Sequence, residues 1–433
     1  MTRISVPRPV RLKTVLVGVS SPGYRSLALG YVRAYAQADP RLSGVAFTTL
    51  ELDTTVDPWW IAYRVLELEP DLVGFSVVCW NARAVYQAVR LIAAARPETV
   101  IVLGGPEVGP IADQVLAQHP AVSAVVRGEG EATFADLLAA HLKGSDLTRV
   151  EGVTARKEGR IVTAPDRRLI TELDDIPSPY LTGVLSPAEG TSYIEGYRGC
   201  PHSCAYCYEG KGYGRVRRFS DERVAAEIEA IASAPGVQAF SFIDPVFNLT
   251  RERLRWLSDT LAPYAARGVS LHTVEVDIER LTAEDAVLLY RAGVRSVETG
   301  PQSVGELALA TCRRSFDRDA FLRGIAACRA SGISVECDLI VGLPGDTIDD
   351  VLAGIDFVIA ADPGIVQLST LHVLPGTDLW QHAQEYGLVF DPEPPHEIVA
   401  TRDLTFSDLR RLEVLGRAAS ELYRARLEPS TEQ

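Results

Sequence analysis

Short runs of Val, Ile and Leu alternate along this chain with longer stretches in which apolar residues recur every three to four positions. Up to residue 143 the short runs predict buried strands at Thr14–Val19, Gly44–Leu50, Leu72–Val77, Val100–Leu103 and Val122–Val126. Helical spacing covers Arg25–Ala38, Pro58–Leu68, Ala82–Arg96, Ile111–Gln118 and Glu131–Leu142. Strand and helix in strict succession predict an α/β fold, here an N-terminal doubly wound parallel sheet over residues 1–144.

A hairpin pattern follows, with Val153–Arg156 and Ile161–Thr163 on either side of Lys157-Glu158-Gly159-Arg160. Proline then punctuates Asp174–Tyr180, and these turn signals place a linker over 145–190. The alternation restarts at Thr191. Strands are expected at Ser192–Gly196, Ala239–Ile243, Ser270–Val276, Ser296–Thr299, Ser334–Val341 and Ile365–Leu371. Between them lie helical stretches such as Asp221–Ala232, Arg251–Ala266, Ala283–Ala292, Arg318–Ser331 and Ile348–Ala361. This second domain spans 191–378, and a short helical C-terminal extension, clearest at Asp408–Leu422, occupies 379–433.

Parallel sheets bind ligands beyond the carboxyl ends of their strands, which directs attention to the residues there. In the first domain these are Ser20, Gly23 and Tyr24 after strand one, and Ser76, Val78, Cys79 and Trp80 after strand three. Gly104, Gly105 and Glu107 follow strand four; Arg127, Gly128 and Glu129 follow strand five. Glycine lets a ligand approach the backbone closely, although tight strand-to-helix turns use it equally. The segments are not the G-x-G-x-x-G dinucleotide fingerprint.

Composition narrows the classes. At 47% hydrophobic and 23% charged the chain is globular, and its net charge of −14 argues against a nucleic-acid-binding face. Arg215, Arg217 and Arg218 form a local basic patch or a solvated approach to a helix. No apolar run reaches the roughly 18 residues of a membrane span, and the basic stretch Met1–Lys13 leads directly into a strand pattern, so a cytoplasmic protein is expected. Seven cysteines, an odd number, agree with a reducing compartment.

Three of those cysteines stand together in Tyr197-Arg198-Gly199-Cys200-Pro201-His202-Ser203-Cys204-Ala205-Tyr206-Cys207-Tyr208. A short loop turned by Gly199 and Pro201 brings Cys200, Cys204 and Cys207 around one metal centre. Zinc prefers a fourth Cys or His, whereas a 4Fe–4S cluster on three thiolates keeps one iron open. A disulfide is the remaining alternative. Cys312, Cys328 and Cys337 are read as small core hydrophobes, His272 and His372 as hydrogen-bonded core residues.

C-x3-C-x2-C with an aromatic residue, Tyr206, before the last cysteine resembles the cluster loop of the radical S-adenosylmethionine (SAM) enzymes. In that family the open iron chelates SAM. Later segments strengthen the resemblance: Asp244-Pro245-Val246-Phe247, Glu298-Thr299-Gly300-Pro301-Gln302-Ser303, and Gly342-Leu343-Pro344-Gly345-Asp346-Thr347 stand in family order. The resemblance implies a partial (β/α)6 barrel in which Tyr206, Asp244, Glu298, Gln302 and Leu343 line SAM. One departure stands at the third strand, where acids occupy Val274-Glu275-Val276-Asp277. Glu275 and Asp277 either face water beside Arg280 or point at the cluster or substrate as catalytic groups.

The preceding sheet resembles the cobalamin-binding domain found in one subfamily of these enzymes. The D-x-H-x-x-G segment of many cobalamin domains corresponds to Gly18-Val19-Ser20-Ser21-Pro22-Gly23, so no histidine from this loop serves as lower cobalt ligand. The corrinoid contacts implied are Ser20, Gly23, Tyr24, Ser76, Val78, Trp80, Gly104, Gly105, Glu107, Arg127, Gly128 and Glu129. The resemblance thus implies three cofactors, a 4Fe–4S cluster, SAM and cobalamin, and an external one-electron reductant of flavodoxin or ferredoxin type. It implies methyl transfer from SAM, via methylcobalamin, to a carbon of a small molecule or natural-product intermediate, an indole such as tryptophan being one. Ring contraction or oxidative cyclisation without methyl transfer is the alternative within the class. A non-catalytic cobalamin or SAM sensor is the alternative outside it.

Overall fold

The computed structural model describes residues 12–209 and 215–427, and most of the basic N-terminal stretch lies outside them. The chain divides into two compact units, Met1–Ser186 and Pro187–Gln433.

The first unit runs β1 (Leu12–Ser20), α1 (Leu27–Ala38), β2 (Val45–Asp53), α2 (Pro58–Leu66), β3 (Leu72–Ser76), α3 (Ala82–Ala95), β4 (Val100–Gly104), α4 (Ala112–Gln118), β5 (Ala124–Val126), α5 (Gly130–Leu142), β6 (Val153–Lys157) and β7 (Arg160–Thr163). Its sheet has the order β2-β1-β3-β4-β5-β6-β7, with the first five strands parallel. The order reverses between β1 and β3, which makes that pair the switch point where doubly wound sheets take ligands. Alternate residues of β1 supply two cores. Leu16 joins residues of α1 and α5 on one face, whereas Val15 and Val17 join α2, α3 and α4 on the other. The polar boundary signals fall where the pattern changes: Ser26 caps α1, and Asp57 caps α2 ahead of Pro58.

The hairpin read into the linker is part of this sheet. β6 pairs antiparallel with β5 and β7 with β6, so the edge that β5 would leave bare is covered.

The second unit begins with β8 (Tyr193–Ile194), β9 (Tyr197–Arg198), β10 (Arg217–Arg218), α6 (Asp221–Ala232), β11 (Ala239–Phe242), α7 (Arg251–Ala265), β12 (Ser270–Leu271), β13 (Val274–Glu275) and α8 (Ala283–Arg291). It continues with β14 (Ser296–Gln302), α9 (Glu306–Thr311), α10 (Arg318–Ala330), β15 (Ser334–Val341), α11 (Ile348–Ala361) and β16 (Ile365–Thr370). Its parallel strands form two runs, β12-β11-β8 and β13-β14-β15-β16. The third expected strand is therefore broken. β12 stays with β11, β13 goes with β14, and His272 between them is exposed, which corrects its reading as a core histidine.

α12 (Asp378–Gln381), α13 (Ala383–Tyr386), β17 (Val389–Phe390), β18 (Ile398–Ala400) and α14 (Phe406–Leu427) complete the chain. Leu409, Leu412 and Tyr423 bury one side of α14, and the Tyr423 hydroxyl donates to Asp362 at 3.0 Å. Cys312, Cys328 and Cys337 are buried as expected.

Candidate active site

The cysteine loop is the connection between β9 and β10, which pair antiparallel and clamp its ends. Arg217 is buried and belongs to that clamp, which corrects its reading as part of a solvated patch. Beneath the loop, Tyr197 is 1% exposed; its hydroxyl donates to Val246 O at 2.9 Å and accepts from Val246 N–H at 2.7 Å. Gly196 N–H donates to Asp244 Oδ1 at 2.6 Å, and Arg253 Nη2 reaches Asp244 Oδ2 at 3.2 Å. A Cβ on Gly196 would meet Arg253 Nη2 at 2.0 Å, so glycine is required for this approach. Both oxygens of Asp244 are engaged below the loop. Asp244 is 2% exposed, so in the free chain its carboxylate is taken up by these two partners.

The outer side of the loop is braced by three consecutive residues after α9. Cys312 O accepts from Ala205 N–H at 2.9 Å, and Arg313 Nε donates to Ser203 O at 3.1 Å. Arg314 Nη1 lies 3.8 Å from Cys204 Sγ and 3.3 Å from the Tyr206 hydroxyl, and Nη2 donates to Gly300 O at 2.5 Å. No sequence motif singled out Arg314. Its position three residues beyond the end of α9 carries no signal without the fold.

Cys204 is 8% exposed, and Cys200 and Cys207 are half-buried. Burial, ahead of the neighbouring charges, raises the Cys200 thiol and pushes Cys207 up to about 11. Burial thus favours the protonated form of Cys200 and Cys207, and metal ligation would favour their thiolates. Among the described residues no three His, Cys, Asp or Glu side chains close around a single ion.

Beside the loop is a cluster of carboxylates. Burial, then Glu298 and Glu209, push Glu275 up to about 7. Burial likewise raises Asp338, followed by the charges of Glu298, Glu336 and Glu275. Glu298 sits between Glu275 and Glu336 in register, and Glu336 accepts from Thr273 Oγ1 and Ser296 Oγ, each at 3.2 Å. Asp277 behaves oppositely. Burial works to raise it, but His202, whose Nε2 lies 3.4 Å away, together with Arg280 and Arg314 holds it below the ordinary carboxylate value. Asp277 thus pairs with a residue of the cysteine loop, and Asn248 fixes its backbone on both sides at 2.9 Å.

The end of β14 is irregular. The register with β15 shifts between Thr299 and Gln302, and Gln302 has φ 66°. A Cβ on Gly300 would meet Asp338 O at 2.2 Å, so the close approach of the two strands needs glycine. Ser303 Oγ donates to Asp346 Oδ1 at 2.6 Å, tying the segment after β15 to this end. Leu343 is 1% exposed, so backbone and side chain are both buried in the free chain.

In the first unit, the switch point is tied by Asn81, a residue that sequence reasoning did not single out. Its Nδ2 donates to Val19 O at 3.0 Å and Ser76 O at 3.1 Å, and its Oδ1 accepts from Val78 N–H at 3.0 Å. Gly105, at φ 119°, leaves no room for a Cβ, which would meet Val77 O at 2.3 Å. Gly23 and Gly128 also have positive φ and stand in open space. Tyr24 and Trp80 are 51% and 66% exposed, while Glu107 is buried. Bare backbone and exposed rings at the strand ends suit a large, flat ligand such as a corrin. Arg127 and Glu129 depart from their expected place. The Arg127 guanidinium is held by Asp166 and Ala164 O, and Glu129 Oε2 accepts from Ile170 N–H at 3.0 Å, so both bind the segment after β7.

Comparison with known proteins gives the family. Residues 14–138 match the model of the B12 binding domain, and residues 194–358 match that of the radical SAM superfamily. The chain is 29% identical over 405 residues to the cobalamin-dependent radical SAM methyltransferase TokK of Streptomyces tokunonensis, covering 87% of this chain but 58% of TokK. It is 26% identical over 396 residues to the anaerobic magnesium-protoporphyrin IX monomethyl ester cyclase of Rubrivivax gelatinosus, covering 87% of this chain and 69% of the cyclase. The radical SAM methyltransferase TsrM of Kitasatospora setae, solved with cobalamin and a 4Fe–4S cluster, shares the fold with a TM-score of 0.69 at 19% identity, over 89% of this chain and 78% of TsrM. A B12-binding domain followed by a radical SAM domain makes this chain a member of the cobalamin-dependent radical SAM enzymes, whose cofactors are a 4Fe–4S cluster, SAM and cobalamin.

Proposed function

We propose that the chain transfers a methyl group from SAM, by way of the corrinoid, to a carbon of a small molecule or natural-product intermediate. The observation that carries this reading is a loop of three anchored cysteines beside a cluster of carboxylates, in a chain that also matches the B12 binding domain. When bound, the cluster supplies the electron that cleaves SAM, and the corrinoid supplies a methyl carrier.

The residues provide placement and charge. Cys200, Cys204 and Cys207 hold the cluster; Arg314 sets its orientation and charge balance through Cys204 and Tyr206. Glu298, Gln302 and Leu343 border SAM, and the clustered carboxylates attract its cationic sulfonium and amino groups. Glu275 is balanced to take or give a proton at its carboxyl near neutral pH. Asp277 holds the loop through His202. Asp244 acts from below, by fixing Gly196 and Arg253. In the first unit Ser20, Gly23, Tyr24, Ser76, Val78, Trp80, Gly104, Gly105, Glu107 and Gly128 border the corrinoid. An indole such as tryptophan suits the acceptor. A flavodoxin or ferredoxin would deliver the electron.

The similarity to the Rubrivivax cyclase supports a second reading, ring formation or rearrangement without methyl transfer. The test is turnover of the anaerobically reconstituted protein with methyl-labelled SAM and candidate acceptors. Labelled product with S-adenosylhomocysteine and 5′-deoxyadenosine in equal amounts supports radical methylation. Deoxyadenosine with altered but unlabelled product sinks it in favour of the second reading.

A further inference from the structure

One half-buried glutamate in the first unit has no place in the scheme above. Glu51 lies on β2 directly opposite Gly18 on β1. The three atoms that a Cβ on Gly18 would meet first all belong to its carboxyl group: Oε2 at 2.4 Å, Cδ at 3.1 Å and Oε1 at 3.3 Å. The carboxyl therefore occupies the space that glycine leaves bare at position 18.

From there Glu51 reaches the β1–α1 loop. Ser26 N–H, at the cap of α1, donates to Oε1 at 3.3 Å. The other end of the loop is also tied to β2, because Thr54 N–H donates to Ser20 O at 2.8 Å. Oε2 is buried with no hydrogen-bond partner. A buried polar atom left unpaired costs roughly 1–3 kcal/mol, so a residue needed only for packing gains nothing from it. Burial pushes Glu51 up to about 7, with Ser26 N–H and Arg25 opposing, so near neutral pH an amide mimics it well.

We propose that Glu51 is a positioning residue for the corrinoid: lodged against Gly18, its carboxyl sets the β1–α1 loop in the shape that receives the cofactor. This rests on the reading that Ser20, Gly23 and Tyr24 border the corrinoid. The pairing of Gly18 with Glu51 makes it testable from both strands.

Hydroxocobalamin binding to the full chain is measured by absorption titration, with far-UV circular dichroism and iron loading as controls. E51A is expected to weaken binding about tenfold or more, the loss of about 1.4 kcal/mol. E51Q restores binding. G18A displaces the carboxyl and weakens binding alone, yet adds nothing in the E51A background. Folded E51A or G18A binding as the wild type does overturns the proposal, and so does an E51Q variant as weak as E51A. If E51A does not fold, G18A decides, and if neither folds the residue serves the fold alone and the proposal fails. A wild-type chain that takes up no hydroxocobalamin instead overturns the corrinoid reading, before any variant is compared.

Discussion

Arg314 places a guanidinium 3.8 Å from the sulfur of Cys204, and a cation there stabilises the reduced, more negative cluster. R314Q is expected to shift the cluster midpoint to a more negative potential at full iron loading. An EPR-monitored redox titration reads this, and an unchanged midpoint contradicts it. Asp244 and Arg253 form a pair whose side chains are 0% and 1% exposed. D244N leaves an acceptor for Gly196 N–H but removes the buried countercharge of the guanidinium, whose other carboxylate, Asp221, lies 4.0 Å away, so a stability loss of up to about 3 kcal/mol is expected in chemical denaturation. The cysteine trio was legible in the sequence because its spacing is local. The engagement of Asp244 by Gly196 and Arg253, the departure of Arg127 and Glu129, and the roles of Arg314 and Asn81 depend on partners elsewhere along the chain, and no periodicity encodes those.

At the scale of elements, short apolar runs located the parallel strands of both units but not the antiparallel pairs β9–β10 and β17–β18, since burial on both faces leaves a continuous signature. The hairpin β6–β7 was found as a hairpin but not as a sheet edge, because pairing with β5 is a tertiary choice. The division of β12 from β13 was likewise invisible in a stretch whose composition suits one strand. The tie between β14 and the segment after β15 runs through Asp346, 1% exposed, which burial pushes up to about 7 despite the Ser303 hydroxyl. A raised carboxyl stabilises the fold fully below its ordinary value, and this contribution is lost as pH rises through the folded value. The Asp346 contribution is therefore expected to fall between about pH 3.8 and 7, and D346N should remove that component of the profile in thermal melts collected across the range. A D346N profile as steep as wild type contradicts the assignment.

For the whole molecule, two units carry two separate cofactor assignments, and the chain spans 58% of the length of TokK. Among the described residues no helix is long and apolar enough to cross a membrane. Because the cysteines and the corrinoid-bordering residues belong to different units, C204A is expected to lose its iron while still binding hydroxocobalamin; loss of both by a folded variant contradicts that independence. The central claim is that one chain unites cluster and corrinoid for methyl transfer, and anaerobic reconstitution with iron, sulfide and hydroxocobalamin tests it most directly. Metal analysis and spectra should find about four irons together with bound corrinoid, whereas a complete cluster on a chain that retains no corrinoid would contradict the account.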